Sequence, residues 1–180
     1  MNKPNLPADL KKLVESRHPD PFALLGRHVK AGRALVRVHL PQAEEVTIAE
    51  GGLPMQRIEG TDLFEWQGDK DAVPERYRLI WRDDGHREHI AHDPYCYPPQ
   101  LGELDLHLFG EGKHWHAHRL LGARVHEVEG VAGVLFSVWA PNAGRVSVVG
   151  DFNGWDGRCH PMRVHGNGVW ELYIPDIPPG

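Results

Sequence analysis

Apolar residues recur with two different periods along this chain, and the change comes early. Leu6, Leu10, Leu13 and Val14 fall at i, i+4, i+7 and i+8. That is one face of a helix, and Pro7 suits its first turn. Pro19 and Pro21 stop the helix. From there the pattern alternates. Ala34, Val36, Val38 and Leu40 alternate with Leu35, Arg37 and His39, a half-buried strand closed by Pro41. Val46 and Ile48 form the next strand, with Glu45 and Thr47 facing the other way. Phe64-Glu65-Trp66 and Tyr77-Arg78-Leu79-Ile80-Trp81 give two more, Asp83-Asp84-Gly85 is a hairpin-type turn, and Asp93-Pro94 closes the series. Tyr97 to Glu111 reads as a linker, stiffened by Pro98-Pro99 and loosened by Gly102, Gly110 and Gly112. A second strand series follows: Val134, Phe136, Val138 and Ala140 alternating with Leu135, Ser137 and Trp139, then Val146 and Val148, then Val169 to Ile174 before Pro175.

The two series read as copies of one plan. Leu24-Leu25-Gly26 answers Leu120-Leu121-Gly122, Val36 to Pro41 answers Phe136 to Pro141, Glu45 to Ile48 answers Arg145 to Val148, and Phe64-Glu65 answers Trp170-Glu171. The offset grows from 96 (Gly26 to Gly122) through 100 (Val38 to Val138) to 106 (Glu65 to Glu171), as small loop insertions require. By the first copy's length, a complete second copy needs on the order of 20–30 residues past Gly180. The expectation is a second module cut short and a frayed or externally paired C-terminal edge.

Composition narrows the class. The chain has 180 residues, 41% hydrophobic and 25% charged, with a formal net charge of −5, which suits a soluble globular protein of one large or two small domains. No global basic field exists to recruit nucleic acid or anionic lipid. The most apolar stretch, Val131 to Val138, is too short to span a bilayer, and Met1-Asn2-Lys3-Pro4-Asn5 does not read as a secretory signal. Cys96 and Cys159 make no disulfide framework, so a cytoplasmic setting is expected. Six Trp, 20 Gly and 15 Pro fit short strands separated by many turns.

Longer motifs carry a resemblance. Phe136-Ser137-Val138-Trp139-Ala140-Pro141-Asn142-Ala143 and Val146-Ser147-Val148-Val149-Gly150-Asp151-Phe152-Asn153-Gly154-Trp155-Asp156-Gly157 resemble the family-48 carbohydrate-binding module that precedes the catalytic barrel of glycogen branching enzymes. His160 to Arg163 and Gly168 to Leu172 resemble the bacterial enzymes in particular. Asp20 to Gly26, Asp93-Pro94-Tyr95 and Leu101 to Gly112 are similar to the extra N-terminal module and linker of that family. The resemblance implies an all-β fold of two tandem immunoglobulin-like β-sandwich modules with a short N-terminal helix, the second module incomplete. Its expected boundaries are residues 1–100, a linker at 101–116, and residues 117–180. It also implies an enzyme that moves α-1,4-glucan segments onto 6-hydroxyls to make α-1,6 branches. That retaining chemistry needs two carboxyl groups about 5–5.5 Å apart on a barrel of about 250 residues, a pattern these residues lack. No catalytic residue, metal ligand or cofactor is therefore assigned. The expected partners are α-glucan (glycogen, maltooligosaccharides) and a catalytic barrel absent from this chain, with neither nucleic acid nor membrane.

Trp155 and Asn153 are the candidate carbohydrate-binding residues. Trp155 sits in a turn, so no strand periodicity assigns it to the core, and a flat indole stacks on the CH face of a pyranose. The same tryptophan also fits a plug on the sandwich or a docking point for the barrel. Asn153 offers hydrogen bonds to hydroxyls or, as is common in turns, to its own backbone. Trp170 shares a face with Leu172 and Ile174 and reads as core. Trp139 faces either a shallow groove or the second sheet. His86, His89 and His92, like His114, His116 and His118, have loose spacings that suit a metal site poorly. Two other readings remain, a stand-alone α-glucan-binding scaffold and a cell-envelope adhesion pair. The predicted incomplete second module and the Trp155 loop argue against them.

Overall fold

The computed structural model describes residues 6–112 and 120–178. The protein is all-β apart from short helical segments, and it divides into two compact units, Met1–Tyr97 and Pro98–Gly180.

The first unit opens with helix α1, Ala8–Val14. Leu10 and Leu13 are buried against Leu25 and Leu63, with Leu6 and Val14 packed alongside, so the helical spacing marks a real interface. Strands β1 (Gly26–Lys30), β2 (Arg33–His39), β3 (Ala43–Ile48), β4 (Leu53–Pro54), β5 (Gln56–Arg57), β6 (Leu63–Asp69), β7 (Arg78–Asp83) and β8 (Glu88–His92) follow. They make two antiparallel sheets, ordered β1-β2-β6-β5 and β4-β3-β7-β8. Val36, Val38 and Phe64 from one sheet meet Val46, Ile48 and Leu79 from the other, with Met55, Val73 and Tyr77 completing the core. Each such side chain contributes roughly 1.5–3 kcal/mol by leaving water.

The second unit starts at Pro98 and takes in most of the segment expected as linker, where Glu103–Gly110 is helix α2 and Leu101 is buried. The backbone N–H groups of Gln100 and Leu101 donate to the Glu171 carboxylate at 3.0 and 2.9 Å, and Asn167 Nδ2 donates to Leu106 O at 2.8 Å. Its strands β9 (Gly122–Val128), β10 (Val131–Trp139), β11 (Arg163–Val164) and β12 (Val169–Pro175) make one antiparallel sheet, ordered β11-β12-β10-β9. The strand expected at Val146 and Val148 is reduced to a single bridge, Ser147 to Pro161. It is flanked by Val148 N–H to His160 O and Met162 N–H to Val146 O. β12 is buried at every position, whereas simple alternation would expose one face.

The repeat is visible in register. Gly26 pairs with Arg37, and Arg37 with Glu65; Gly122 pairs with Ser137, and Ser137 with Glu171. Even a side-chain bond recurs: Arg37 donates to Leu24 O, and Ser137 Oγ to Leu120 O. Both copies turn between their first two strands through two residues with positive φ, Ala31-Gly32 and Glu129-Gly130. Such two-residue turns match the twist of paired strands.

Candidate functional site

The loop after Val149 holds both candidate residues, and its shape begins at Asn153. A short 3₁₀ turn, Asp151–Asn153, ends at Gly154, whose φ of +60° suits a residue without a Cβ. Trp155 then adopts φ +61° as well, a left-handed conformation that an L side chain adopts at a cost of about 1–2 kcal/mol. Its N–H donates to Gly150 O at 2.9 Å, closing the loop. The side chain points outward and is 66% exposed. Indole Nε1–H donates to Asp151 Oδ1 at 2.8 Å, which fixes the ring's direction and consumes its only donor. What remains to a ligand is the apolar face. Phe152 and Val149, both exposed, add apolar surface to the same loop.

Asn153 does not share that exposure. The sequence reading gave it hydrogen bonds to sugar or to its own backbone, and the structure turns it inward at 5% exposed. Its Oδ1 accepts from Gly150 N–H at 2.9 Å, and its Nδ2 donates to Val148 O and to His160 Nδ1, both at 2.9 Å. Both amide donors are taken up inside the protein, and the side chain braces the loop. Burial pushes the His160 pKa down to about 4. The ring is neutral at pH 7, with Nδ1 free to accept from Asn153 and the proton on Nε2.

Trp170 is buried and donates Nε1–H to Ala140 O at 3.0 Å, as its place among Leu172 and Ile174 implied. Trp139 is 54% exposed at the end of β10, its ring edge-on to Phe109 at 6.0 Å. Phe109 lies on α2, which the sequence reading took for linker and so did not connect with Trp139. Of the histidines, His89 Nε2 donates to Asp83 Oδ2 at 2.9 Å and its ring stacks on Trp81, and His86 faces Glu44 at 3.4 Å. His114, His116 and His118 lie outside the described residues. Among the described residues no three His, Cys, Asp or Glu side chains come together as a metal site, and no helix is long and apolar enough to cross a membrane.

Comparison with known proteins places both units. Residues 6–95 match the family described as alpha-1,4-glucan branching enzyme GlgB, N-terminal domain, and residues 120–180 match Carbohydrate-binding module 48 (Isoamylase N-terminal domain). The chain is 54% identical over 176 residues to the 1,4-alpha-glucan branching enzyme GlgB of Methylococcus capsulatus, with 97% of this chain and 24% of that protein aligned. It is 51% identical over 173 residues to the enzyme of the same name from Nitrosococcus oceani (95% and 23%). The one from Cellvibrio japonicus is 47% identical over 187 residues (98% and 25%). The chain thus spans about a quarter of the length of the curated relatives it matches. With half its length matching that family and nearly all of it aligned to such enzymes, the chain belongs to the family of alpha-1,4-glucan branching enzyme GlgB N-terminal domains.

Proposed function

We propose that this chain binds and positions α-1,4-glucan for a branching enzyme that transfers glucan segments to make α-1,6 branches. In this reading the carboxylates that perform the transfer belong to a catalytic barrel outside these 180 residues, and the present units supply a holding surface. The observation that carries it is the Trp155 indole, exposed, tethered through Nε1 to Asp151, and set on a backbone held in a strained conformation. An aromatic face fixed in advance costs little ordering entropy when a pyranose stacks on it. Asn153 acts as a positioning residue, keeping the turn that presents the ring. We place the protein in the cytoplasm, where thiols such as Cys96 and Cys159 stay reduced.

Calorimetric titration of the chain with maltoheptaose tests this, with Trp155→Ala as the control. The expected result is saturable binding that the substitution weakens by about tenfold to a hundredfold. Absence of binding with the fold intact would instead give Trp155 a structural or docking role and remove the reading.

A further inference from the structure

A pocket in the first unit lies where the chain crosses from one sheet to the other. β4 pairs with β3 and β5 pairs with β6, so the crossing falls at Met55, whose N–H donates to Val46 O at 2.9 Å. β5 covers only Phe64 and Glu65 of β6. Among the described residues, the edge of β6 from Trp66 to Asp69 therefore has no neighbouring strand on that side. A cavity of about 570 Å³ opens there, lined by Pro54, Met55, Gln56, Glu65, Trp66 and Gln67. Small-molecule sites typically hold about 300–1,000 Å³.

The lining selects a chemistry. Trp66 is half-buried and packs against the sandwich core. Its ring lies along the strand over Gly68, where a Cβ would approach the ring to 2.4 Å; the glycine leaves room for this seat. Pro54 and Met55 extend the apolar wall. Gln56 and Gln67 hold exposed amides at the rim, and each amide both donates and accepts, as a sugar hydroxyl does. The one carboxylate, Glu65, is bound by Arg37 Nε at 2.6 Å, and the lining contains no cation, which disfavours phosphate-bearing ligands. An extended peptide adding to this edge would find only four residues of strand, fewer than the five or six of an ordinary one.

We infer that this edge pocket is a second contact for an α-1,4-linked glucose chain that wraps the open edge of β6, one pyranose against Trp66 and hydroxyls of its neighbours on Gln56 and Gln67, which strand alternation sets on the opposite face. The ligand class rests on the reading of the Trp155 loop given above; the site does not.

The test is an amide and indole NMR titration of the whole chain with maltoheptaose. It uses wild type, Trp155→Ala, and the surface double variant Gln56→Ala, Gln67→Ala. The expected result is that Trp155→Ala keeps saturable shifts at residues 54–56, 65–67 and the Trp66 indole. The double variant weakens those shifts by about fivefold or more and leaves the shifts at residues 150–157 unchanged. Shifts confined to residues 150–157 in wild type overturn the inference and leave the Trp155 reading standing. Pocket shifts that persist without loop shifts do the reverse. Response of the pocket to an extended Thr-Val heptapeptide but not to maltoheptaose overturns it in favour of strand addition.

Discussion

At the level of single residues, the loop joins strain to exposure at Trp155. A left-handed φ of +61° is tolerated by glycine at little cost and by alanine at about 1 kcal/mol or more. Trp155→Gly is therefore expected to be more stable than Trp155→Ala by about 1 kcal/mol, while both lose maltoheptaose affinity. Urea unfolding of the two variants gives the comparison, and equal stabilities would mean that the backbone relaxes. Asn153 predicts the opposite pattern. Its removal leaves Gly150 N–H, Val148 C=O and His160 Nδ1 without their partner. Asn153→Ala should cost about 1–3 kcal/mol of stability, and any loss of binding should follow the loss of loop order in the NMR spectrum. Both residues stood out in the sequence because a Gly-Trp turn has no core periodicity. Which of them turned inward was not legible there, since that depends on His160 and Val148 converging from other parts of the chain.

At the level of elements, the alternating strands and the helix at Leu6 to Val14 were readable because each buries one face and its pattern records it. The alternation does not mark β1, β8 and β9, nor the two-residue strands β4, β5 and β11. β9 has few apolar residues and is mostly exposed, so alternation had little to mark. The Ala31-Gly32 and Glu129-Gly130 turns were the available signal for β1 and β9. α2 was missed for a different reason. Leu104, Leu106 and Leu108 are spaced by two, a strand pattern, and Leu104 is 70% exposed in the folded helix. What holds this region is a carboxylate in β12. Burial raises the Glu171 pKa, but His165 and the N–H groups of Leu101 and Gln100 outweigh it and keep the group below the usual carboxylate range. Glu171→Gln keeps the shape and loses the charge and one acceptor. We expect a stability loss of about 1.5–3 kcal/mol, with faster hydrogen exchange at Gln100 and Leu101. Unchanged exchange at those two amides would show that the helix is held by packing alone.

On the scale of the whole molecule, two carboxylates of the first unit contribute to the pH dependence of stability with opposite signs. Hydrogen bonds from His89 and the Arg87 backbone hold Asp83 down at about 2, so its contribution is present above about pH 4 and lost as pH falls toward 2. Burial pushes Asp93 up to about 6, even though Tyr77 and the Tyr95 N–H donate to it. A raised acid acts in reverse: its contribution is full below about pH 4 and is lost as pH rises through 6. Asp93→Asn should therefore gain on wild type by about 3 kcal/mol between pH 4 and pH 7, read from denaturant midpoints at the two pH values. A difference that does not change with pH would mean that Asp93 stays ionised when buried.

The sequence alone determined the strand-rich class, the duplicated plan and the loop that carries Trp155, because periodicity, turn residues and motif order are local properties of the chain. Tertiary structure decided the rest. It converted the second copy's Val146–Val148 strand into one bridge, drew residues 98–112 into the second unit through Glu171, and opened a pocket at Trp66 where β5 stops short. Each of these depends on groups far apart in sequence satisfying one another's hydrogen bonds or leaving an edge uncovered, and no local pattern encodes that.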